Sequence, residues 1–75
     1  LDREVDNDDF SQLYQALMQL PVKNRIVLVL LYIEGYSVAE IAALLRVPQG
    51  TVKSLLARGR KLLQQELTEN EVYAV

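Results

Sequence analysis

Residues 26–33 read IVLVLLYI, eight apolar residues in succession set between Pro21 and Gly35. At 100° per residue such a run passes more than twice around a helix, so its side chains cannot all face one side. It falls well short of the roughly 20 apolar residues that span a bilayer. Either the helix that carries it is central to the domain, or part of that helix is a binding surface; both readings stand. Proline suits a first helical turn and glycine suits a helix end, so this helix is predicted over about 22 to 33.

The flanking segments carry helical patterns of their own. Phe10, Leu13, Leu17 and Leu20 recur at spacings of three and four and predict a first amphipathic helix over about 9 to 19, ended by Pro21. Ahead of it, residues 1–8 are an acidic linker or lead-in. Leu1 stands where an initiator Met would, which points to a fragment or a processed product. Ser37 and Glu40 have the spacing of a capping box and predict a third helix over about 38 to 45. Its Ile41, Leu44 and Leu45 should face inward, with Ala42 and Ala43 allowing close approach of a neighbour. Arg46, Val47 and Pro48 make a turn, and Pro48 opens a fourth helix over about 48 to 66, roughly 30 Å long.

In that fourth helix Val52, Leu56, Gly59 and Leu63 follow a 4-3-4 spacing, extended by Leu67, and form the expected buried stripe. The sequence thus predicts an all-α fold, a small four-helix domain over residues 9–67 with a C-terminal helix-turn-helix. Val27, Leu30, Ile41, Leu44, Val52 and Leu56 are its expected core. Residues 68–75 form a tail that could fold back through Val72, Tyr73 and Val75.

Charge and composition narrow the function. A domain this small buries only about 60 to 65% of its unfolded surface, so its function is expected on the outside. There is no Cys and no His, which removes thiol chemistry and the usual zinc ligands, and no nucleophile stands paired with a base. No catalytic residue, metal site or cofactor is therefore expected. No basic stretch precedes an apolar one as in a signal peptide, and a soluble, cytoplasmic protein without membrane insertion is expected. The net charge is −2, but it is segregated: residues 46–61 hold Arg46, Lys53, Arg58, Arg60 and Lys61 with no acid, +5 against −7 for the remainder. A charged helix face is ordinarily just solvated. A cationic strip with no interleaved acid on an acidic body instead suits contact with a polyanion on one surface.

Helical periodicity places Lys53, Ser54, Ala57, Arg58 and Lys61 on one face of the fourth helix. A short helix, a tight turn and a longer helix with small and basic residues in its first turns form a DNA-reading unit whose second helix enters the major groove. In that arrangement Gly50 would let the recognition helix approach the scaffold helix and Thr51 would bond a phosphate. Val52 would anchor the helix in the core, leaving Lys53 and Ser54 directed outward.

With Leu20-Pro21, Arg25, Gly35, Ser37, Glu40-Ile41-Ala42, the run Pro48-Gln49-Gly50-Thr51-Val52-Lys53-Ser54, and Arg58 and Arg60, the chain resembles region 4 of bacterial sigma factors, closest to the extracytoplasmic-function group, over residues 10 to 67. The resemblance implies recognition of the −35 promoter element in transcription initiation and contact with the β flap of RNA polymerase core. It also implies that an anti-sigma factor can mask the domain. By matching position, Lys53, Ser54, Ala57 and Arg58 would face the groove, with Thr51 and Arg60 on or near phosphates. Two positions depart from the family pattern: Leu55 stands where an Arg is common, and Leu31 where a polar residue is common. Both are candidates for protein contact. Two other readings remain at the level of sequence: a sigma-like interaction module held by an anti-sigma factor, and a LuxR-type response-regulator DNA-binding domain. The oligomeric state is left open.

Overall fold

The computed structural model describes residues 11–74, with side chains from 11 to 68. The lead-in 1–8, Phe10 and the side chains of Val72, Tyr73 and Val75 lie outside the described residues. Four helices follow one another: α1 over 11–18, α2 over Val22–Leu28, α3 over Val38–Leu45 and α4 over Gln49–Ala74. Among the described residues there is no strand.

Each boundary has a local cause. At the end of α1 the amides of Gln19 and Leu20 reach back only three residues, to the carbonyls of Ala16 and Leu17 at 3.2 and 3.1 Å. Pro21, extended at ψ 148°, then opens α2, its carbonyl accepting from the Arg25 amide at 3.0 Å. The Arg25 Nη2 turns back and donates to the Leu20 carbonyl at 3.2 Å, tying the corner between α1 and α2. Beyond Leu28 the helix widens into a π turn, Val29–Ile33, closed by Glu34 N–H to the Val29 carbonyl at 3.0 Å. Gly35 stops it at φ +82°, and the Tyr36 amide closes onto the Leu30 carbonyl at 2.9 Å. That closing bond spans one residue more than the usual glycine-capped end, as the extra residue of a π turn requires.

The predicted capping box is present: Ser37 Oγ accepts from the Glu40 amide at 3.0 Å, and the Ser37 amide donates to Glu40 Oε1 at 2.8 Å. α3 ends on Arg46 in the left-handed region, φ 62° and ψ 47°, with the Val47 amide on the Ala42 carbonyl at 3.0 Å. That conformation costs a side-chain-bearing residue roughly 1–2 kcal/mol, and it folds the chain sharply into α4. α4 extends eight residues past its predicted end at 66, because no proline or glycine occurs between Leu67 and Ala74 to stop it.

The core gathers Leu20, Val27, Leu28, Ile41, Ala42, Val52 and Leu56. Val27, Ile41, Val52 and Leu56 are fully buried as predicted, and Leu30 packs half-buried against them. Leu44 is a correction: it is 59% exposed. The inward face of α3 is Val38, Ile41, Ala42 and Leu45, and Leu44 points about 110° away from its centre. A second correction concerns glycine. A Cβ at Gly50 would meet nothing within 4 Å, so Gly50 mediates no close approach. Gly59 does, since a Cβ there would sit 3.0 Å from Leu28 Cδ1 and 3.3 Å from the Asn24 carbonyl oxygen. Asn24, itself buried, locks the same crossing by donating from Nδ2 to the Leu55 carbonyl at 3.0 Å.

Candidate nucleic-acid interface

α3, the turn at 46–48 and α4 form the helix-turn-helix. Val52 and Leu56 in the core and Gly59 against α2 fix which face of α4 turns inward. The outward arc then carries Thr51, Lys53, Ser54, Ala57, Arg58, Arg60 and Lys61, all exposed. Among the described residues none of the four cations on this arc pairs with a carboxylate, so their charge is free to act outward. The positive end of the α4 dipole lies at Gln49 and Gly50 and adds to it.

The structure divides this set. Thr51, Ser54 and Arg58 come together around one open depression, with Pro48, Gly50, Leu55 and Asn24 completing its wall. Lys61 lies farther along, in a polar strip with Gln64, Gln65 and Thr68. Lys53 and Ala57 are exposed on the same helix, with Lys53 about 140° around from Arg58. Arg60 leans to the flank away from that depression, the side of Lys53, where its Nε donates to the Tyr32 hydroxyl at 2.7 Å and its guanidinium lies 5.6 Å from the centre of the Tyr32 ring.

Leu31 and Leu55, singled out for protein contact, are both half-buried and packed against the core. The Leu55 side chain therefore has an internal reason to be apolar. Sequence reasoning found the stripe that holds α4 in place, Val52, Leu56 and Gly59, but missed Asn24, because a buried amide between helices leaves no periodic trace. It also missed an apolar groove of about 630 Å³ between α1, the end of α2 and the distal half of α4. Leu13, Leu17, Val29, Ile33, Leu63 and Leu67 line it, with Arg60 and Tyr32 at its edge. The surplus in IVLVLLYI was the available signal: Val27 and Leu28 go to the core, while Ile26, Tyr32 and Ile33 stay exposed.

Comparison with known proteins agrees with this arrangement. Residues 10–63 match the family model described as sigma-70, region 4. The chain is 42% identical over 59 residues to the ECF RNA polymerase sigma factor SigW of Bacillus subtilis, covering 79% of this chain and 32% of that protein. It is 41% identical over 66 residues to the ECF RNA polymerase sigma factor SigM of Mycobacterium tuberculosis, covering 88% and 34%. A further relative, the ECF RNA polymerase sigma factor SigX of Bacillus subtilis, is 36% identical across 91% of this chain and 39% of its own length. The chain thus spans about a third of the length of the curated relatives it matches. A helix-turn-helix with an acid-free outward face, and a family match that takes in α3, the turn and residues 49–63 of α4, make the chain a member of the sigma-70 region 4 family.

Proposed function

We propose that this chain is the DNA-binding domain of an extracytoplasmic-function sigma factor and recognises the −35 element of promoters during transcription initiation by RNA polymerase. The observation that carries the reading is the outward arc of α4, on which small and cationic side chains are exposed and unpaired from carboxylates among the described residues. Arg58 has the reach and the forked donors to take a guanine edge, Ser54 to bond a base or phosphate, and Ala57 to meet a thymine methyl. Thr51, Lys53 and Lys61 fit phosphate contact, which sets register and supplies most of the salt-dependent affinity.

The family is a DNA-binding regulatory one, not an enzyme family. Among the described residues no helix is long and apolar enough to cross a membrane. Cytoplasmic action alongside polymerase is in keeping with both. The apolar groove and the exposed Val22 and Ile26 on α2 and Ile33 in the π turn support a protein partner as well, and RNA polymerase through its β flap is the partner proposed. An anti-sigma factor competing for the same domain is compatible with that surface. Nothing in the family match or the relatives supports a LuxR-type domain or a module that only binds protein.

Holoenzyme assembled with the full-length protein and titrated onto a −35 promoter at several salt concentrations tests the reading. Lys53→Ala should weaken binding across promoter sequences and lower the log-log salt slope by about one. An unchanged affinity and slope would contradict the reading.

A further inference from the structure

Among the described residues Arg60 is the one cation of the outward arc with a side-chain partner, and that partner is neutral. Successive turns of α2 meet successive turns of α4. Asn24 bonds the Leu55 carbonyl, Leu28 closes on Gly59, and Tyr32 in the π turn reaches Arg60. Tyr32 is therefore held by a buried crossing although its own ring is 62% exposed. Among the described residues its hydroxyl accepts only the Arg60 Nε–H, at 2.7 Å, and the guanidinium lies over its ring, 5.6 Å from the centroid. The two terminal amino groups of Arg60 have no partner among the described residues. A carboxylate in the place of Tyr32 would quench the positive charge; a phenol orients it and leaves it intact.

On the helical wheel Arg60 lies about 110° from the centre of the outward arc, on the flank shared with Lys53. When a helix lies in the major groove, its flanks are the sides that run beside the sugar-phosphate strands. Resting on the DNA-binding reading above, we propose that Tyr32 is a positioning residue that pre-orders the Arg60 guanidinium, with its amino groups unspent, for a backbone phosphate beside the major groove. An arginine loses much rotamer freedom when it binds, and a side chain already fixed in its bound orientation loses less. The gain expected from such pre-ordering is about 2- to 10-fold in affinity.

The test uses holoenzyme carrying the full-length protein with Tyr32→Phe, Arg60→Ala, or both, on a −35 promoter over a range of salt. Tyr32→Phe keeps the ring and removes only the hydroxyl, and the exposed position leaves the core untouched. It should weaken binding about 2- to 10-fold with the salt slope retained. Arg60→Ala should lower the slope by about one, and adding Tyr32→Phe to it should change nothing further. Tyr32→Phe should likewise have no effect beside Arg60→Lys, whose ammonium has no Nε–H to place. Three results each overturn the proposal: unchanged or tighter binding by Tyr32→Phe, an equal loss by Tyr32→Phe in the Arg60→Ala background, or an unchanged slope for Arg60→Ala. Lys53→Ala, measured alongside, separates the two levels. If its slope falls while Tyr32→Phe is silent, only the positioning role is lost; if it too is silent, the DNA-binding reading fails.

Discussion

A Cβ on residue 59 would press on Leu28 and on the Asn24 carbonyl, whereas one on residue 50 would meet open space, so two glycines of one helix have opposite meanings. Gly59→Ala should therefore destabilise the domain by about 1–3 kcal/mol, because neither a backbone oxygen nor a buried leucine can give way freely. Gly50→Ala should stabilise it by up to about 1 kcal/mol, by restricting the unfolded chain at a position that tolerates a methyl group. Thermal or urea melts of the two variants check the pair, and effects of reversed sign would mean that α2 and α4 cross elsewhere. The sequence placed Gly59 on the buried stripe but assigned the close approach to Gly50. A stripe is readable from spacing along one helix, while a close approach depends on where a second helix crosses it. The same limit hid Asn24, whose amide reaches a carbonyl 31 residues away. Arg58 and Ser54 were legible because an acid-free run at helical spacing survives whatever the rest of the fold does.

Among the elements, those defined by local chemistry were the readable ones. Ser37 and Glu40 satisfy each other across three residues, and Gly35 supplies a positive φ that few residues accept, so the start of α3 and the end of the π turn that continues α2 fell where expected. The π turn at Val29–Ile33 was not legible, since it follows from packing and no residue type announces it. The inward face of α3 was read one position off. A helix of eight residues offers too few turns for its apolar positions to choose a face, and Ala42, small and easily overlooked, takes the place assigned to Leu44. Two leucine-sized positions of α3, Ile41 and Leu44, should separate cleanly in unfolding experiments. Ile41→Ala should cost about 2–5 kcal/mol and Leu44→Ala within about 0.5 kcal/mol. Equal losses would show that the helix is rotated from its described orientation.

For the molecule as a whole, the folding problem and the functional one are solved on different sides of the same helix. Val52, Leu56 and Gly59 bind α4 into the body, which leaves its outward arc exposed and, among the described residues, its cations unpaired with any carboxylate. The apolar surplus of residues 26–33 is shared between that core and the groove beside Tyr32, so the run is central to the domain and still leaves apolar surface exposed. Arg60 stands at the edge of the groove and on the flank of the basic arc, and a partner seated in the groove would be within reach of it. The central claim is that α4 reads sequence through Arg58 and does not merely attract DNA. Its most direct test is holoenzyme binding to a set of promoters substituted at every −35 base in turn, compared between the unaltered protein and Arg58→Ala. Loss of about 1–3 kcal/mol with relaxed preference at one base position is the predicted result. An equal loss at all positions, or none, would contradict it.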